Sequence, residues 1–340
     1  MTTAEPSTTN PGPAPLASVV ISTKSRKDEL RHALKSCVAQ DGFSTGEIEV
    51  LVIDDGSTDG TADVVRSEFP DVRLVRFEQS EGLIVQRNRG VELARAPIAI
   101  IIDDDALFST PNVVRGIVAD FDHARVGALA VPMHDMCYPD TSLKQRAPDD
   151  HDVWVMAHFK GTAQALRRSV FQRVGGFRAS LVHQCEEMDY CLRMLAAGYV
   201  VRAGRGDPIH HFESVRRDKT RQMRFNARNH ILGLWHNVPM PMFLWRLPAV
   251  VAQIIVFGIR LGYIKATAHG FWQAFKGIVS GKEPRRPVTA DQFRLFRHLW
   301  KAAPMRLAEL PLVSFPPGQP LDVAAPSIAS HSPTTAKAEP

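Results

Sequence analysis

The sequence predicts an α/β fold with a mostly parallel central sheet flanked by helices, as in Rossmann-like proteins. Two observations support this prediction. From Ser18 to about Val131, short runs rich in valine and isoleucine alternate with segments of helical periodicity. Acidic clusters directly follow two of these runs, at Asp54-Asp55 and at Asp103–Asp105. Buried parallel strands have this continuous apolar character, and their ligands collect at the carboxyl ends of the strands.

The predicted elements follow one another in a regular order. Strands are expected over residues 18–22, 49–53, 72–77, 98–102 and 127–131. Helices are expected over residues 30–38, from just after Asp59, over 83–95, near 168–173 and over 186–197, where Gly198 provides a C-terminal cap. Residues 132–160 show neither period and are predicted to be irregular.

Composition divides the chain into four parts. Residues 1–17 and 313–340 are rich in Pro, Ser, Thr and Ala, which predicts disordered tails around a domain of residues 18–235 and a helical extension of residues 236–312. The first tail has neither the basic start nor the apolar core of a secretory signal. Four cysteines without metal-ligand spacing indicate a reduced, cytoplasmic setting.

The helical extension contains an apolar segment. Its uncharged run Leu247–Ile259 has 13 residues, whereas a helix that spans a membrane needs about 20. Pro239, Pro241 and Pro248 interrupt the pattern, and arginines and tryptophans flank it. The sequence therefore favours a segment that lies on a membrane surface or in the core over one that spans the membrane.

Basic residues concentrate in one stretch of a chain whose net charge is +5. The stretch contains Arg202, Arg205, Arg216, Arg217, Lys219, Arg221, Arg224 and Arg228. Such a stretch predicts a phosphate-bearing ligand, which could be a nucleotide, a lipid headgroup or a nucleic acid. Acidic strand ends and the lack of a nucleic-acid-recognition motif in the sequence argue against nucleic acid.

The triplet Asp103–Asp105 predicts a bound cation. Three adjacent carboxylates at the end of a buried strand repel one another and lose hydration. Oxygen ligands of this kind suit Mg²⁺ or Mn²⁺, which would then hold a phosphorylated ligand. The alternative is a solvated acidic loop that caps the helix after Pro111.

Three further clusters each have a functional and a structural interpretation. Asp54-Asp55 could accept hydrogen bonds from a base or a ribose, although the residues that follow are explained by a turn and a helix cap. Glu186-Glu187 either complement a helix dipole or provide a general base. His210-His211 offers either a structural side chain or a ligand for a metal or a pyrophosphate.

Six motifs in series carry a resemblance to a known family. They are SVVISTKSR (18–26), VIDDGSTDG (52–60), RNRG (87–90), IIDDD (101–105), VGGF (174–177) and EEMDY (186–190). Together they resemble the inverting family 2 glycosyltransferases, which have the A-type nucleotide-sugar (GT-A) fold, over about residues 18–235. Residues 228–230 and 282–287 resemble a bacterial branch of that family, which includes rhamnosyltransferases of cell-surface glycans.

The resemblance implies roles for the two acidic strand ends. Asp55, with Asp54 beside it, corresponds to the residue that binds the nucleotide base. Asp104 corresponds to a contact of the ribose or the diphosphate. Asp103 and Asp105 bracket the family's Asp-x-Asp motif, so Asp103 is expected in the nucleotide-sugar site and Asp105 as the metal ligand.

The resemblance also implies a base and marks two departures. Glu187 stands where the family usually has its catalytic aspartate, so it is the expected base. Because glutamate is one methylene longer, Glu186 is the alternative base and is otherwise expected in the nucleotide-sugar site. Lys24 stands where many members place an aromatic residue against the nucleotide base. His211 is the expected second ligand of the metal.

These observations predict a metal-dependent inverting glycosyltransferase that uses Mg²⁺ or Mn²⁺. It would move a hexosyl or deoxyhexosyl group from a nucleotide-diphosphate sugar to a glycan or a lipid-linked acceptor, in cell-surface polysaccharide or glycolipid synthesis. The basic stretch and the apolar segment favour docking at the inner face of the cell membrane, and no nucleic-acid partner is expected. The alternative is a non-catalytic nucleotide-sugar-binding protein, which the change from Asp to Glu at Glu187 suggests.

Overall fold

The structure, a computed structural model, describes residues 14–138, 143–213, 218–302 and 304–311. Most of both predicted tails lies outside these ranges, as do Arg216 and Arg217 of the basic stretch. The strands are β1 (Ala17–Thr23), β2 (Ile48–Asp54), β3 (Arg73–Arg76), β4 (Ile98–Asp103), β5 (Ala106–Phe108), β6 (Val126–Ala130), β7 (Met133–Asp135), β8 (Trp154–Met156), β9 (Ala163–Arg167), β10 (Val200–Ala203), β11 (Ile209–His211) and β12 (Met305–Arg306).

The helices alternate with the strands in the first half of the chain and follow one another in the second half. They are α1 (Lys27–Val38), α2 (Thr61–Glu68), α3 (Leu83–Leu93), α4 (Val113–Ala119), α5 (Arg168–Val174), α6 (Glu186–Ala196), α7 (Lys219–Asn237), α8 (Met240–Arg260), α9 (Ile264–Ser280) and α10 (Ala290–Ala302). Every residue of β1 and β2 is buried, because helices cover both faces of these valine- and isoleucine-rich strands.

Nine strands of the described residues form the central sheet, in the order β12-β8-β10-β6-β9-β4-β1-β2-β3. Strands β1 to β4 pair in parallel, and β6 pairs in parallel with β10. Strand β9 lies antiparallel between β4 and β6. The predicted fold class is confirmed, with the addition of this antiparallel strand, which separates two parallel groups and which the sequence did not indicate.

The two acidic strand ends lie at the same edge of the sheet. Strand β1 places Thr23 opposite Asp54 on one side and Ser22 opposite Asp103 on the other. Since neighbouring strands are about 4.8 Å apart, the two clusters flank the end of β1. A second, three-stranded sheet in the order β5-β11-β7 follows the triplet and brings His211 to this edge.

The region predicted to be irregular contains two short strands. Strands β7 and β8 lie within residues 132–160 and have three residues each. The prediction was wrong here because such short strands show no period of their own. Their pairing partners are distant in sequence, since β7 pairs with β11 and β8 pairs with β10.

The prolines of the apolar segment do not interrupt its helix. Helix α8 continues for 21 residues, with Pro241 in its first turn and Pro248 inside it. A proline in the first turn costs no hydrogen bond, because the N–H groups there have no partner in the helix. The expected interruption was therefore wrong. By length and composition alone, α8 could cross a membrane, and 17% of its most apolar 18-residue window is buried.

The C-terminal helices pack onto the sheet domain. Helix α9 lies so close to α7 that a Cβ atom at Gly270 would clash with the carbonyl oxygen of Arg224. Helix α10 contacts α6, and β12 extends the edge of the central sheet by placing Met305 opposite Val155. Residues beyond 235 thus contribute to the same sheet, and the division into two domains stays a prediction.

Candidate functional site

One arginine neutralises part of the acidic triplet. Arg26, at the start of α1, donates to Asp104 Oδ1 at 2.6 Å and to Asp105 Oδ2 at 3.0 Å. The hydroxyl of Thr23 donates to Asp104 Oδ2 at 2.7 Å. Burial raises the pKa of Asp104 to about 7, although Arg26 acts in the opposite direction. Both aspartates are buried, so the triplet is not a solvated loop.

Three side chains beside this ion pair could hold a metal ion. One ligand atom from each of Asp103, Asp105 and His211 lies within 4.8 Å of the other two, and His211 Nε2 is 3.4 Å from Asp105 Oδ1. Although burial acts to raise it, contacts with His211 and Arg26 hold the pKa of Asp105 at about 2. Carboxylate oxygens suit Mg²⁺ and Mn²⁺. The structure brings the predicted ligands Asp105 and His211 together and adds Asp103 to them.

A buried arginine connects the triplet to the acidic helix. Arg87 of α3 donates through Nη2 to Asp103 Oδ1 at 2.6 Å and through Nη1 to Glu186 Oε1 at 2.9 Å. Its Nη2 also donates to the carbonyl oxygen of Gly161 at 3.0 Å. Burial acts to lower the pKa of Arg87, but Asp103 and Glu186 outweigh it and raise that pKa. The two acidic clusters therefore share one cation.

Glu187 lies next to the same arginine. A Cβ atom on Gly161 would clash with Glu187 Oε1 and would lie 3.0 Å from Arg87 Nη1, so both side chains approach this glycine. Burial is the main cause that raises the pKa of Glu187 and of Glu186, and Arg87 opposes the increase in both. Glu186 is buried, whereas Glu187 is only half-buried. A ligand can therefore reach the Glu187 carboxylate more readily.

Asp55, directly after β2, holds the turn of residues 80–82 in place. Asp55 accepts hydrogen bonds from Ser80 Oγ at 2.6 Å, Glu81 N at 2.8 Å, Gly82 N at 3.1 Å and Gln86 Nε2 at 2.5 Å. These bonds lower its pKa although burial acts to raise it. Both of its oxygens are therefore engaged within the chain, and direct base binding by Asp55 stays a prediction.

Asp54, the last residue of β2, is fully buried. Its Oδ1 accepts a hydrogen bond from the backbone N–H of Ser57 at 2.8 Å, and its Oδ2 lies 3.5 Å from Arg76 Nε. Because no surface of the Asp54 side chain is exposed, this carboxylate supports the turn of residues 54–57. The role of Asp54 in the nucleotide-sugar site stays a prediction.

The RNRG motif positions α3 at the site. Asn88 donates through Nδ2 to the carbonyl oxygen of Phe177 at 2.8 Å and accepts from the Phe177 N–H at 2.9 Å. A Cβ atom on Gly90 would clash with Val20 of β1. This motif and the one that contains Arg26 carry the family resemblance, but the sequence predicted no role for Arg26 or Arg87. Their positions inside two motifs of the series were the available signal.

Two members of the basic stretch are engaged away from the site. Arg202 is buried and pairs with Asp122, and Arg205 pairs with Asp120 at 2.6 Å and with Asp122 at 3.2 Å. Their ion pairs with these aspartates leave Arg202 and Arg205 less suited to the phosphate-bearing ligand that the basic stretch predicts. Lys24 is exposed just beyond the end of β1.

A strained turn directly precedes the two glutamates. Val182, Gln184 and Cys185 have φ angles of 63°, 68° and 66°. Non-glycine residues in this left-handed region each cost on the order of 1–3 kcal/mol, so surrounding contacts must hold them there. The direction in which α6 starts, and so the position of Glu187, depends on this turn.

Asn229 of α7 provides such contacts. Its fully buried side-chain amide donates to carbonyl oxygens in the turn at 2.7–2.9 Å, and the accepting residues are Leu181, His183 and Gln184. Arg228 donates to Asn229 Oδ1 at 2.7 Å and so fixes the orientation of the amide. One side chain on a neighbouring helix thereby holds the turn that leads into the glutamates.

On the expected role of Glu187 as the base, the Asn229→Ala substitution should lower kcat by about 100-fold, because a displacement of a catalytic group by about 1 Å has an effect of this size. The KM for a donor should change little, since the strand ends are untouched. Asn226→Ala, one turn earlier on the same helix, is the matched control. Steady-state rates and melting temperatures of both variants provide the measurement. Equal rates in the two variants at equal stability would show that Asn229 has no positioning role.

Comparison with known sequences finds one family model that matches part of the chain. Residues 18–183 match the family model for glycosyl transferase family 2. The chain is 33% identical over 93 residues to the succinoglycan biosynthesis protein ExoU of Rhizobium meliloti (strain 1021), covering 26% of each protein. It is 39% identical over 108 residues to validoxylamine A glucosyltransferase of Streptomyces hygroscopicus subsp. limoneus, covering 31% of this chain and 23% of that protein. The alignments span about a quarter of these relatives.

Comparison with solved structures identifies the fold. The mannosyltransferase PcManGT from Pyrobaculum calidifontis, in complex with GDP-Man and Mn²⁺, superposes with a TM-score of 0.52 at 20% identity. The superposition covers 84% of this chain and 85% of that one. The chain therefore has the GT-A fold, and the strand ends described above lie in a nucleotide-sugar fold.

Proposed function

This chain carries a glycosyl transferase family 2 domain at residues 18–183, and we propose that it is a metal-dependent inverting glycosyltransferase. The observation that carries the proposal is the bridge made by Arg87, which joins Asp103 of the candidate metal group to Glu186, the neighbour of Glu187. The bridge connects the candidate metal group with the candidate base, which supports the proposal. A direct displacement at a sugar carbon requires both.

The donor is proposed to be a nucleotide-diphosphate sugar that binds at the ends of β1, β2 and β4. Asp103, Asp105 and His211 would hold a divalent ion, Mg²⁺ or Mn²⁺, which when bound offsets the negative charge of the donor diphosphate. Arg26 offers a second cation beside Asp104 and Asp105.

The nucleotide pocket is proposed to include both acids at the end of β2. Asp54 and Asp55 would shape it through the turns that they hold, at residues 54–57 and 80–82. Glu186 would contribute from the other side, by fixing Arg87. An exposed Lys24 at the end of β1 lies where it could reach a phosphate.

The proposed base is Glu187. Its carboxylate accepts the proton of an acceptor hydroxyl, and the hydroxyl oxygen forms a bond to the anomeric carbon from the face opposite the diphosphate. The bond between that carbon and the diphosphate oxygen breaks, the electron pair stays with the diphosphate, and the configuration inverts. Glu186 is less suited to this role, since it is buried and Arg87 already occupies one of its oxygens.

The acceptor is proposed to be a glycan or a lipid-linked saccharide, used in the synthesis of a cell-surface polysaccharide or glycolipid. A relative named for succinoglycan biosynthesis supports this class of product. A cytoplasmic location with docking at the inner face of the cell membrane is also proposed, and the apolar character of α8 supports the docking. A rhamnosyltransferase-like specificity rests on the resemblance of residues 228–230 and 282–287.

Release of nucleotide diphosphate from a donor tests the proposal. Purified protein with Mn²⁺ is offered UDP-, dTDP- and GDP-sugars, and we expect hydrolysis or transfer from one of them that EDTA abolishes. No release from any donor, together with no metal-dependent nucleotide binding in calorimetry, would exclude the transferase. Binding of a nucleotide sugar without turnover, unchanged by Glu187→Gln, would instead support the non-catalytic binder.

A further inference from the structure

A cavity of about 540 Å³ lies between α6, α7, α8 and α10 and reaches Cys185 and Asn229, at the turn that precedes the two glutamates. Its walls combine polar side chains with apolar ones, among them Leu192, Val250, Ile254, Phe257, Phe293 and Phe296. The carboxylate in the wall, Asp189, is paired with Arg178 and Arg193. Cavities of roughly 300–1,000 Å³ with apolar walls and few polar groups are typical of sites for small molecules. None of the residues proposed to bind the donor or to act as the base lines this cavity.

Two arginines in the cavity wall have no acidic partner among the described residues. Arg246 and Arg297 are both half-buried, and Arg246 Nε is buried without a hydrogen-bond acceptor. Burial lowers the pKa of Arg297, and the positive charge of Arg246 lowers it further. Two unpaired guanidinium groups that repel each other at a partly buried position are unfavourable unless an anion lies between them.

The basic character continues at the mouth of the cavity. A second cavity of about 320 Å³ shares Arg246, Phe293 and Arg297 with the first. Its other lining residues are Met242, Arg294, His298 and Lys301. Arg294 pairs with Asp291, and no Asp or Glu is among the residues that line this second cavity. The mouth therefore favours an anionic group.

The surface around this mouth is apolar and exposed. Leu244 and Trp245, which directly precede Arg246 on α8, are 62% and 86% exposed, and Trp300 in the cavity wall is 42% exposed. Exposed aromatic and aliphatic side chains beside arginines are typical of surfaces that lie at the boundary between lipid headgroups and acyl chains.

The geometry points to a binding site for one anionic membrane lipid, with an acyl chain in the cavity and the phosphate of the headgroup between Arg246 and Arg297. A neutral apolar ligand would leave both guanidinium groups unpaired, and a small soluble anion would leave the apolar walls empty. A lipid phosphate satisfies both requirements, since a guanidinium fork matches phosphate oxygens. The site does not depend on sugar transfer.

Calorimetry with dodecyl phosphate below its micelle concentration tests this site on the full chain without a donor. We expect dodecyl phosphate to bind, and at least about tenfold weaker binding in Arg246→Gln and in Arg297→Gln. Because these arginines have no ion pair to lose, the substitutions should leave the melting temperature unchanged. Arg260→Gln, at the exposed end of the same helix, is the matched control.

A second variant tests the cavity itself. Gly233 lies in the cavity wall on α7, and a Cβ atom there would meet nothing within 4 Å. Leucine at this position should fold at least as well, because glycine is a poor helix former, but its side chain would fill the cavity. We expect Gly233→Leu to abolish the binding of dodecyl phosphate while the melting temperature is retained or rises.

Any of three calorimetric results would overturn the lipid site. Inorganic phosphate could bind as tightly as dodecyl phosphate, dodecyl maltoside could bind equally well, or Gly233→Leu could leave the affinity unchanged. Sedimentation with vesicles identifies the source of the phosphate. Phosphatidylglycerol vesicles should bind wild-type protein more than Gly233→Leu, whereas equal binding of both proteins, or no binding of dodecyl phosphate, would contradict the inference.

Discussion

Replacement of Glu187 by glutamine is expected to lower the rate of sugar transfer by about 1,000-fold, because general base catalysis typically contributes 10²–10⁴-fold. Glutamine has nearly the same size, but it cannot accept the proton of an acceptor hydroxyl. Donor affinity should stay close to that of the wild type, since the candidate metal group and Arg26 are unchanged. Single-turnover rates and donor binding by calorimetry, measured on the same preparation, separate the two quantities.

The pH dependence provides an independent measurement of the same group. Burial raises the pKa of Glu187, and only the deprotonated carboxylate can act as a base. The value of kcat/KM should therefore increase with pH, with a midpoint above the ordinary glutamate pKa of about 4.3. In Glu187→Gln this increase should disappear, whereas a purely structural role would leave the midpoint in place.

Glu186→Gln is the matched control for the choice of base. This substitution frees one side of Arg87 from Glu186, and the guanidinium then stabilises the ionised form of Glu187 more strongly. We expect a smaller loss of rate and a shift of the kcat/KM midpoint to lower pH. A larger loss in Glu186→Gln than in Glu187→Gln, at equal stability, would reverse the assignment of the base.

The sequence predicted the strands that are defined by a continuous local run of apolar residues. Strands β1, β2 and β4 consist of continuous apolar runs, and their observed bounds differ from the predicted ones by one residue at most at each end. Strand β9 could not be placed in the same way, because its antiparallel position between β4 and β6 depends on pairing with residues far away in the chain. The periodicity of apolar residues indicates which side chains are buried, but it does not indicate which strands pair with one another.

The site shows the same division between local and distant information. The positions of the acids were predictable, since each cluster lies within a short motif. The two arginines that pair with these acids were not predictable, because Arg26 lies 78 positions from Asp104 and Arg87 lies 99 positions from Glu186. For Asp55 the sequence indicated an available carboxylate, yet three donors of a neighbouring turn and one from α3 already surround it.

Helix α8 shows that the position of a proline decides whether it interrupts a helix. Three prolines predicted an interrupted segment, but Pro239 and Pro241 lie at the start of the helix, where the missing N–H costs nothing. Pro248 is exposed inside the helix. The long apolar run around it supplies helix-compatible residues on both sides.

Replacement of Asp105 by asparagine is expected to weaken the binding of Mn²⁺ by at least about 100-fold, because loss of a hydrogen-bonding partner of a metal ligand already costs about 10–100-fold. Asp105 is the member of the group that contacts both His211 and Arg26. Its low pKa, about 2, keeps it ionised throughout the neutral range. The neutral amide offers one weaker oxygen ligand, so donor binding that depends on the metal should be lost with it.

The matched control for Asp105→Asn is Asp135→Asn. Asp135 lies opposite His211 in the small sheet and pairs with Lys144, so its substitution removes a nearby charge without touching the group of three ligands. Titration of Mn²⁺, followed by its electron paramagnetic resonance signal, measures both variants with and without nucleotide diphosphate. If Asp105→Asn binds Mn²⁺ as well as Asp135→Asn does, the metal must lie elsewhere, and Arg26 would then be the main cation for the diphosphate.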